Sequence, residues 1–309
     1  MDVRESSVSA VFRTFSANGI SMAKAKRWLS IRSWYSFTAE ESQRLAAATG
    51  VEVDALARNA LTPSRIHGRT GWCIGSHTFD GDVSASRWST RICATCVGLT
   101  GRCKVSWLVK GMCACPEHDE VLVDRCPACD QWLTWQRPAI DICRCGYFLS
   151  RAAPSAYLRP LVRSWLHGVQ DRLTYARGDG AAMLCTGQPA IPFEMSINAG
   201  MKLVQAFGSR AQIDESPRRS LELMKTSVGV LEVMTRGLER LATLTDGTLG
   251  WHKVAPFVHR PTIEDIQRRN FVQADARGAQ TLLHELTRQS GSRRDGRGSF
   301  VRGQLSLFG

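Results

Sequence analysis

Ten of the eleven cysteines fall between residues 73 and 145, and only Cys185 lies outside that stretch. A cluster this dense dictates how its segment folds, because the thiols must either pair as disulfides or converge on metal ions. The opening "MDVRESSVSAVFRTF" lacks the apolar core of a signal peptide, and no apolar run is long enough to span a membrane. The expected compartment is therefore the cytoplasm, with nucleoid association and no membrane contact. In a reducing compartment such a cluster reads as metal binding.

Four short knuckles supply the donors: Cys93-Ala-Thr-Cys96, Cys115-Pro-Glu-His118, Cys126-Pro-Ala-Cys129 and Cys143-Arg-Cys145-Gly146. Zinc sites of this kind draw two ligands from each of two knuckles. Pairing in sequence order predicts one site from Cys93, Cys96, Cys115 and His118, and a second from Cys126, Cys129, Cys143 and Cys145. A crossed pairing, first with third and second with fourth, stays open on spacing alone. Sequential pairing leaves loops of eighteen and thirteen residues between knuckles, and shorter loops cost less closure entropy. Cys73, Cys103 and Cys113 are left over. Cys113 stands two residues before Cys115 and competes for the first metal on spacing, although a partly buried free thiol is the simpler reading.

Both sets are closed at four protein ligands, whereas catalytic zinc keeps a position open. The expectation is two structural Zn2+ ions, each contributing on the order of 10 kcal/mol to folding. Glu117, beside His118, reads as a solvated carboxylate rather than a general base. No phosphate-binding loop, H-E-x-x-H or G-x-S-x-G motif occurs, so an enzyme is not expected.

The flanks read as helical, giving a mainly α fold. Val8, Val11, Phe12 and Phe15 form a stripe that stops at Asn18-Gly19. A second helix, "SMAKAKRWLSIRSW", carries Trp28, Leu29, Ile31 and Trp34 as its apolar set. Thr38 and Glu41 form a capping box for a third, which Gly50 ends, and "VEVDALARNAL" follows. A helix pair about Gly50 has the outline of a helix-turn-helix. Strand signals are weak outside the zinc hairpins. The net charge of +12 lies in the flanks and points to a polyanionic partner. If nucleic acid is bound, Lys24, Lys26, Arg27, Arg32 and Arg58 are the candidate phosphate contacts.

The order C-x-x-C, Trp107, C-P-x-H, C-P-x-C, C-x-C-G, carried by "RICATC", "CPEHDEVLVDRCPAC" and "CRCGYFL", resembles the zinc region of the TniQ family. These are target-selection proteins of bacterial transposons. The N-terminal segment "ESSVSAVFRTFSANGIS … LAAATGVEVDALARNAL" is similar to that family's helical domain. The chain departs from the pattern in carrying Ala94 where the family has Pro, and "VGLTGRC" in place of an acidic stretch. The resemblance implies a non-catalytic adaptor. It would link a target, whether a DNA site, a guide-RNA complex or a replication fork, to an AAA+ transposition ATPase, with a homodimer as one assembly state. A zinc-containing transcriptional regulator that reads a DNA site is the alternative.

The expected layout is a helix-turn-helix-like domain over 1–70, a tandem zinc-binding region with small hairpins over 71–150, a helical C-terminal domain over 151–288 and a disordered basic tail over 289–309. The tail's Gln304-Leu305-Ser306-Leu307-Phe308 resembles the motif by which bacterial proteins dock on the DNA polymerase sliding clamp. There the Leu-Phe end would fill an apolar pocket and the Gln would bond a second site.

Overall fold

The computed structural model describes residues 1–34, 36–66, 69–81, 90–153, 157–175, 192, 194–213, 215, 222–269 and 272–291. The tail motif Gln304–Phe308 and Cys185 lie outside the described residues. The chain divides into two units, Met1–Gly178 with Thr226–Leu231, and Asp179–Lys225 with Glu232–Gly309.

Four helices open the first unit: α1 (Ser7–Ala17), α2 (Met22–Trp28), α3 (Ala39–Thr49) and α4 (Val53–Arg58). Their ends follow local chemistry. The Ser6 hydroxyl accepts from the Ser9 amide and starts α1, and Gly19 turns left-handed at φ 67° after it. At α3 the Thr38–Glu41 capping box forms in both directions, and Gly50 ends the helix at φ 69°. The predicted stripe Val8, Val11, Phe12 and Phe15 is buried. α2 is shorter than the sequence pattern implied. It stops at Trp28, because Ser30 turns the chain at φ 52°. Ile31 and Trp34 reach the core after that turn, while Trp28 is left 67% exposed.

A three-stranded antiparallel sheet, β1 (Thr62–Ile66), β2 (Arg69–Ile74) and β3 (His77–Asp80), precedes the cysteine knuckles. It forms where the sequence carries only weak strand signals. Gly75, at φ 55°, makes the two-residue turn between β2 and β3. Trp72 and Ile74 alternate inward along β2. Next come α5 (Ala94–Thr100), the hairpin β4 (Ala114–Cys115) and β5 (Glu120–Val121), and α6 (Pro160–Tyr175).

One core links these parts. Phe12 and Phe15 of α1, Leu45 of α3 and Leu56 of α4 pack in the same cluster as Cys93, Cys96, Cys115, Cys126 and Cys143. Trp135, between the third and fourth knuckles, meets Phe12 edge-on at 6.1 Å. Burying this apolar surface at roughly 25 cal/mol per Å² is what fixes the knuckles against the helices.

The second unit is helical: α7 (Ile197–Gly208), α8 (Ser227–Thr245, in this unit from Glu232), α9 (Trp251–Val254), α10 (Arg260–Arg269) and α11 (Gln273–Gly291). α7 and α8 cross at two glycines. A Cβ on Gly237 would lie 2.0 Å from the Val204 carbonyl oxygen, and one on Gly208 would lie 1.8 Å from that of Val233. Asp275 ties α11 to the start of α7, accepting from the amide and hydroxyl of Ser196. The molecule is thus mainly α with small antiparallel sheets, and no helix among the described residues is long and apolar enough to cross a membrane.

Candidate metal centres

Cys93 sits at the N-cap of α5, and its sulfur accepts the Cys96 amide at 3.3 Å. That turn aims both thiols at one point. The β4–β5 hairpin brings Cys115, and His118 stands in its four-residue loop, closed by Asp119 at φ 55°. The four donor atoms all lie within 4.8 Å of one another. His118 Nδ1 is 3.4 Å from Cys93 Sγ, 3.2 Å from Cys96 Sγ and 3.6 Å from Cys115 Sγ. Cys96 and Cys115 sulfurs are 3.7 Å apart.

A tetrahedral zinc with bonds of about 2.3 Å to sulfur and 2.0 Å to nitrogen implies edges of about 3.8 Å between sulfurs and 3.5 Å between sulfur and nitrogen. The observed spacings match, so the residues of centre 1 fit a four-coordinate ion bound through Nδ1. The cysteines are buried, and the Cys115 thiol is held well below its ordinary range because the Cys93 and Cys96 sulfhydryls bond to it.

Centre 2 gathers Cys126, Cys129, Cys143 and Cys145, again within 4.8 Å. Cys126 and Cys145 sulfurs are 3.6 Å apart, and those of Cys129 and Cys143 are 3.8 Å apart. Each knuckle is a tight turn finished by a left-handed residue, Asp130 at φ 54° and Gly146 at φ 89°. Asp130 N donates to Cys126 O, and Gly146 N to Cys143 O. This centre lies nearer solvent. Cys145 is exposed, and the Tyr147 amide draws its thiol down to about 7. Each centre can hold one metal ion.

The structure therefore assembles the sequential sets. Cys73, Cys103 and Cys113 enter neither cluster among the described residues. Cys103 and Cys113 are buried thiols, pushed up to about 12 by that burial, and Cys73 contacts Thr78 at 3.8 Å.

Several groups around the centres left no trace in local sequence. Glu117 is exposed, as expected of a solvated carboxylate, and it is also a hub. It accepts from Arg4 at 2.8 Å, Lys104 at 2.6 Å and Gln170 of α6 at 2.9 Å. Lys104 also reaches Cys115 Sγ at 3.9 Å, placing a cation beside the thiol set. With the Asp119–Arg163 ion pair, these contacts dock α6 on the His118 loop. His77 adds a further tie, its Nε2 donating to the Arg172 carbonyl of α6 at 3.0 Å. Buried Arg137 braces centre 2. It donates to the carbonyls of Thr134, Ala139 and Ile140 and lies over the rings of Phe12 and Trp135.

The candidate nucleic-acid residues are at the surface. Lys24, Arg27, Arg32 and Arg58 are exposed, and Lys26 is half-buried. α3 and α4 are joined through Gly50–Glu52, and α4 spans only six residues with Arg58 at its end.

The TniQ family model matches residues 1–122, the family whose knuckle order the sequence resembles. The match covers α1–α4, the three-stranded sheet and all four donors of centre 1, and stops short of Cys126. Comparison with curated proteins gives no match.

Proposed function

We propose, from the TniQ region at residues 1–122, that this chain is a non-catalytic target-selection adaptor for DNA transposition. Its role would be to hold a target and present it to an AAA+ transposition ATPase. The observation that carries the reading is the family match over the helices and centre 1 together.

Zinc is the ion we assign to both centres. Three thiols with one imidazole, and four thiols, are donor sets that suit zinc, and their edges fit its tetrahedron. Four protein donors leave no position for substrate, which favours a structural role. Zinc supplies the cross-link that holds the loops. The chain's own residues do the rest: Glu117 and Lys104 orient the His118 loop against α6, and Arg137 fixes the segment between the last two knuckles. The cations of α2 and Arg58 supply a phosphate-facing surface for the target. The tail Gln304–Phe308 supplies a sliding-clamp ligand that steers insertion towards replicating DNA.

An affinity pull-down from nuclease-treated host lysate tests the reading, comparing the full chain with one ending at Gly303. An AAA+ ATPase should come down with both baits, and the clamp only with the full chain. Recovery of transcription proteins without an ATPase would replace the adaptor by a DNA-binding regulator.

A further inference from the structure

We infer that the outer face of α2 binds nucleic acid at a position where a base is unpaired, with the Trp28 indole stacking on that base. The inference rests on the reading that the chain contacts a nucleic-acid target, and it specifies what form of target α2 selects.

α2 turns Met22 and Ala25 into the core and ends with Trp28 67% exposed. Trp28 is the largest exposed side chain of the N-terminal helices, and it stands among cations. Lys24 lies one turn before it on the same face, Arg27 adjoins it and Arg32 follows the Ser30 turn, all three exposed. Among the described residues no carboxylate pairs with these three side chains. The carboxylate that reaches the Arg32 backbone, Glu41, is already engaged. Its two oxygens accept the backbone amides of Arg32 at 2.7 Å and Thr38 at 2.8 Å, so it caps α3 rather than neutralising the face.

Unpaired cations match a polyanion, and phosphate contacts would account for them alone. They do not account for the indole. The faces of bases in an intact duplex are hidden in the stack, whereas an unpaired base offers one. Aromatic rings among basic side chains are how single strands are held without sequence preference. A bubble, a displaced strand or a single-strand junction presents both chemistries at once, phosphates to Lys24, Arg27 and Arg32 and a base face to Trp28.

The test uses full-length, metal-loaded chain in anisotropy titrations at fixed salt, with an intact duplex and the same duplex carrying a central unpaired bubble. The wild type should bind the bubble more tightly. Trp28→Ala should weaken bubble binding by about 5- to 150-fold, the range for one stacked base, and leave duplex binding unchanged. Trp28→Leu, apolar but without a ring, should weaken it as much. Replacing Lys24, Arg27 and Arg32 together by Ala should weaken binding of both DNAs. Equal affinity of the wild type for the two DNAs, or a Trp28→Ala effect shared by both or absent from both, overturns the stacking. Failure of the wild type to bind either DNA removes the nucleic-acid reading itself, and the stacking with it.

Discussion

Gly237→Ala adds one methyl group where α8 crosses α7. The new Cβ would stand 2.0 Å from the Val204 carbonyl oxygen, against an ordinary contact of 3.4 Å or more, so the helices must part by about 1.4 Å. Backbone cannot swing aside as a side chain can, and overpacking of this kind costs typically about 1–3 kcal/mol, sometimes more. Replacing Gly by Ala inside a helix returns about 1 kcal/mol, so a backbone overlap this deep, at the upper end of that range, leaves a net loss near 2 kcal/mol. The unit spans Asp179–Lys225 and Glu232–Gly309, a size at which 1 kcal/mol shifts melting by about 4 °C, so the fall in melting temperature is roughly 8 °C. Gly278→Ala in α11 is the matched control. There the new Cβ meets only the Met195 side chain, Cε at 3.6 Å and Sδ at 4.0 Å, so the propensity gain of up to about 1 kcal/mol should appear as unchanged or raised stability. Thermal unfolding followed by circular dichroism or calorimetry compares the two. A Gly237→Ala chain that melts at or above the wild-type temperature would refute the close crossing.

Cys126→Ser should release one equivalent of metal and unfold the knuckles around centre 2, because a structural zinc is worth on the order of 10 kcal/mol; a chain that keeps both metals and melts normally contradicts the donor set. Glu117→Ala should loosen α6 from the His118 loop at a cost of about 1 kcal/mol for partly exposed ion pairs, seen as faster amide exchange in α6, and unchanged protection there would deny it the role of hub. The Cys103 thiol ionises only near pH 12. Its reactive thiolate is scarce at pH 8 and grows as pH rises towards that value, so mass spectrometry after iodoacetamide treatment of the folded chain should find Cys103 unmodified. Alanine at Lys24, Arg27 and Arg32 should lower the salt slope of DNA binding by about one unit for each phosphate left without its cation, and an unchanged slope would remove these residues from the interface.

What the sequence made legible was local. The Thr38–Glu41 box, the left-handed Gly50 and the α1 stripe all depend on residues within one or two turns of each other, and the structure has them as expected. The two donor clusters were legible because paired thiols at knuckle spacing have few other uses. The misses share a different cause. Trp28 and Trp34 belong to one apolar set by periodicity, yet the single left-handed residue Ser30 breaks the period, sending one outward and the other into the core. The β1–β3 sheet hides because the strands are short, and Pro63 and several polar residues mask their alternation. Glu117 could not be read at all. Its partners Arg4, Lys104 and Gln170 are separated from it by up to 113 positions, and nothing in the spacing of a lone glutamate announces them.

The shared core explains why the metal centres bear on the whole N-terminal unit rather than on a separable finger. Phe12 of α1 touches Trp135 and Arg137, which lie between the knuckles of centre 2. Ser6 and Ser9 hold the Cys103 backbone from the first turn of α1. Helices that would face a target are thereby fixed by loops that the metals close.

The metal content of the purified full-length chain, measured by plasma mass spectrometry against protein concentration from amino-acid analysis, bears most directly on this account. Two zinc ions per chain are predicted, both removed by a strong chelator together with the cooperative melting of the first unit. A chain that holds fewer than two, or that melts unchanged once stripped, would contradict the claim that two closed centres organise this protein.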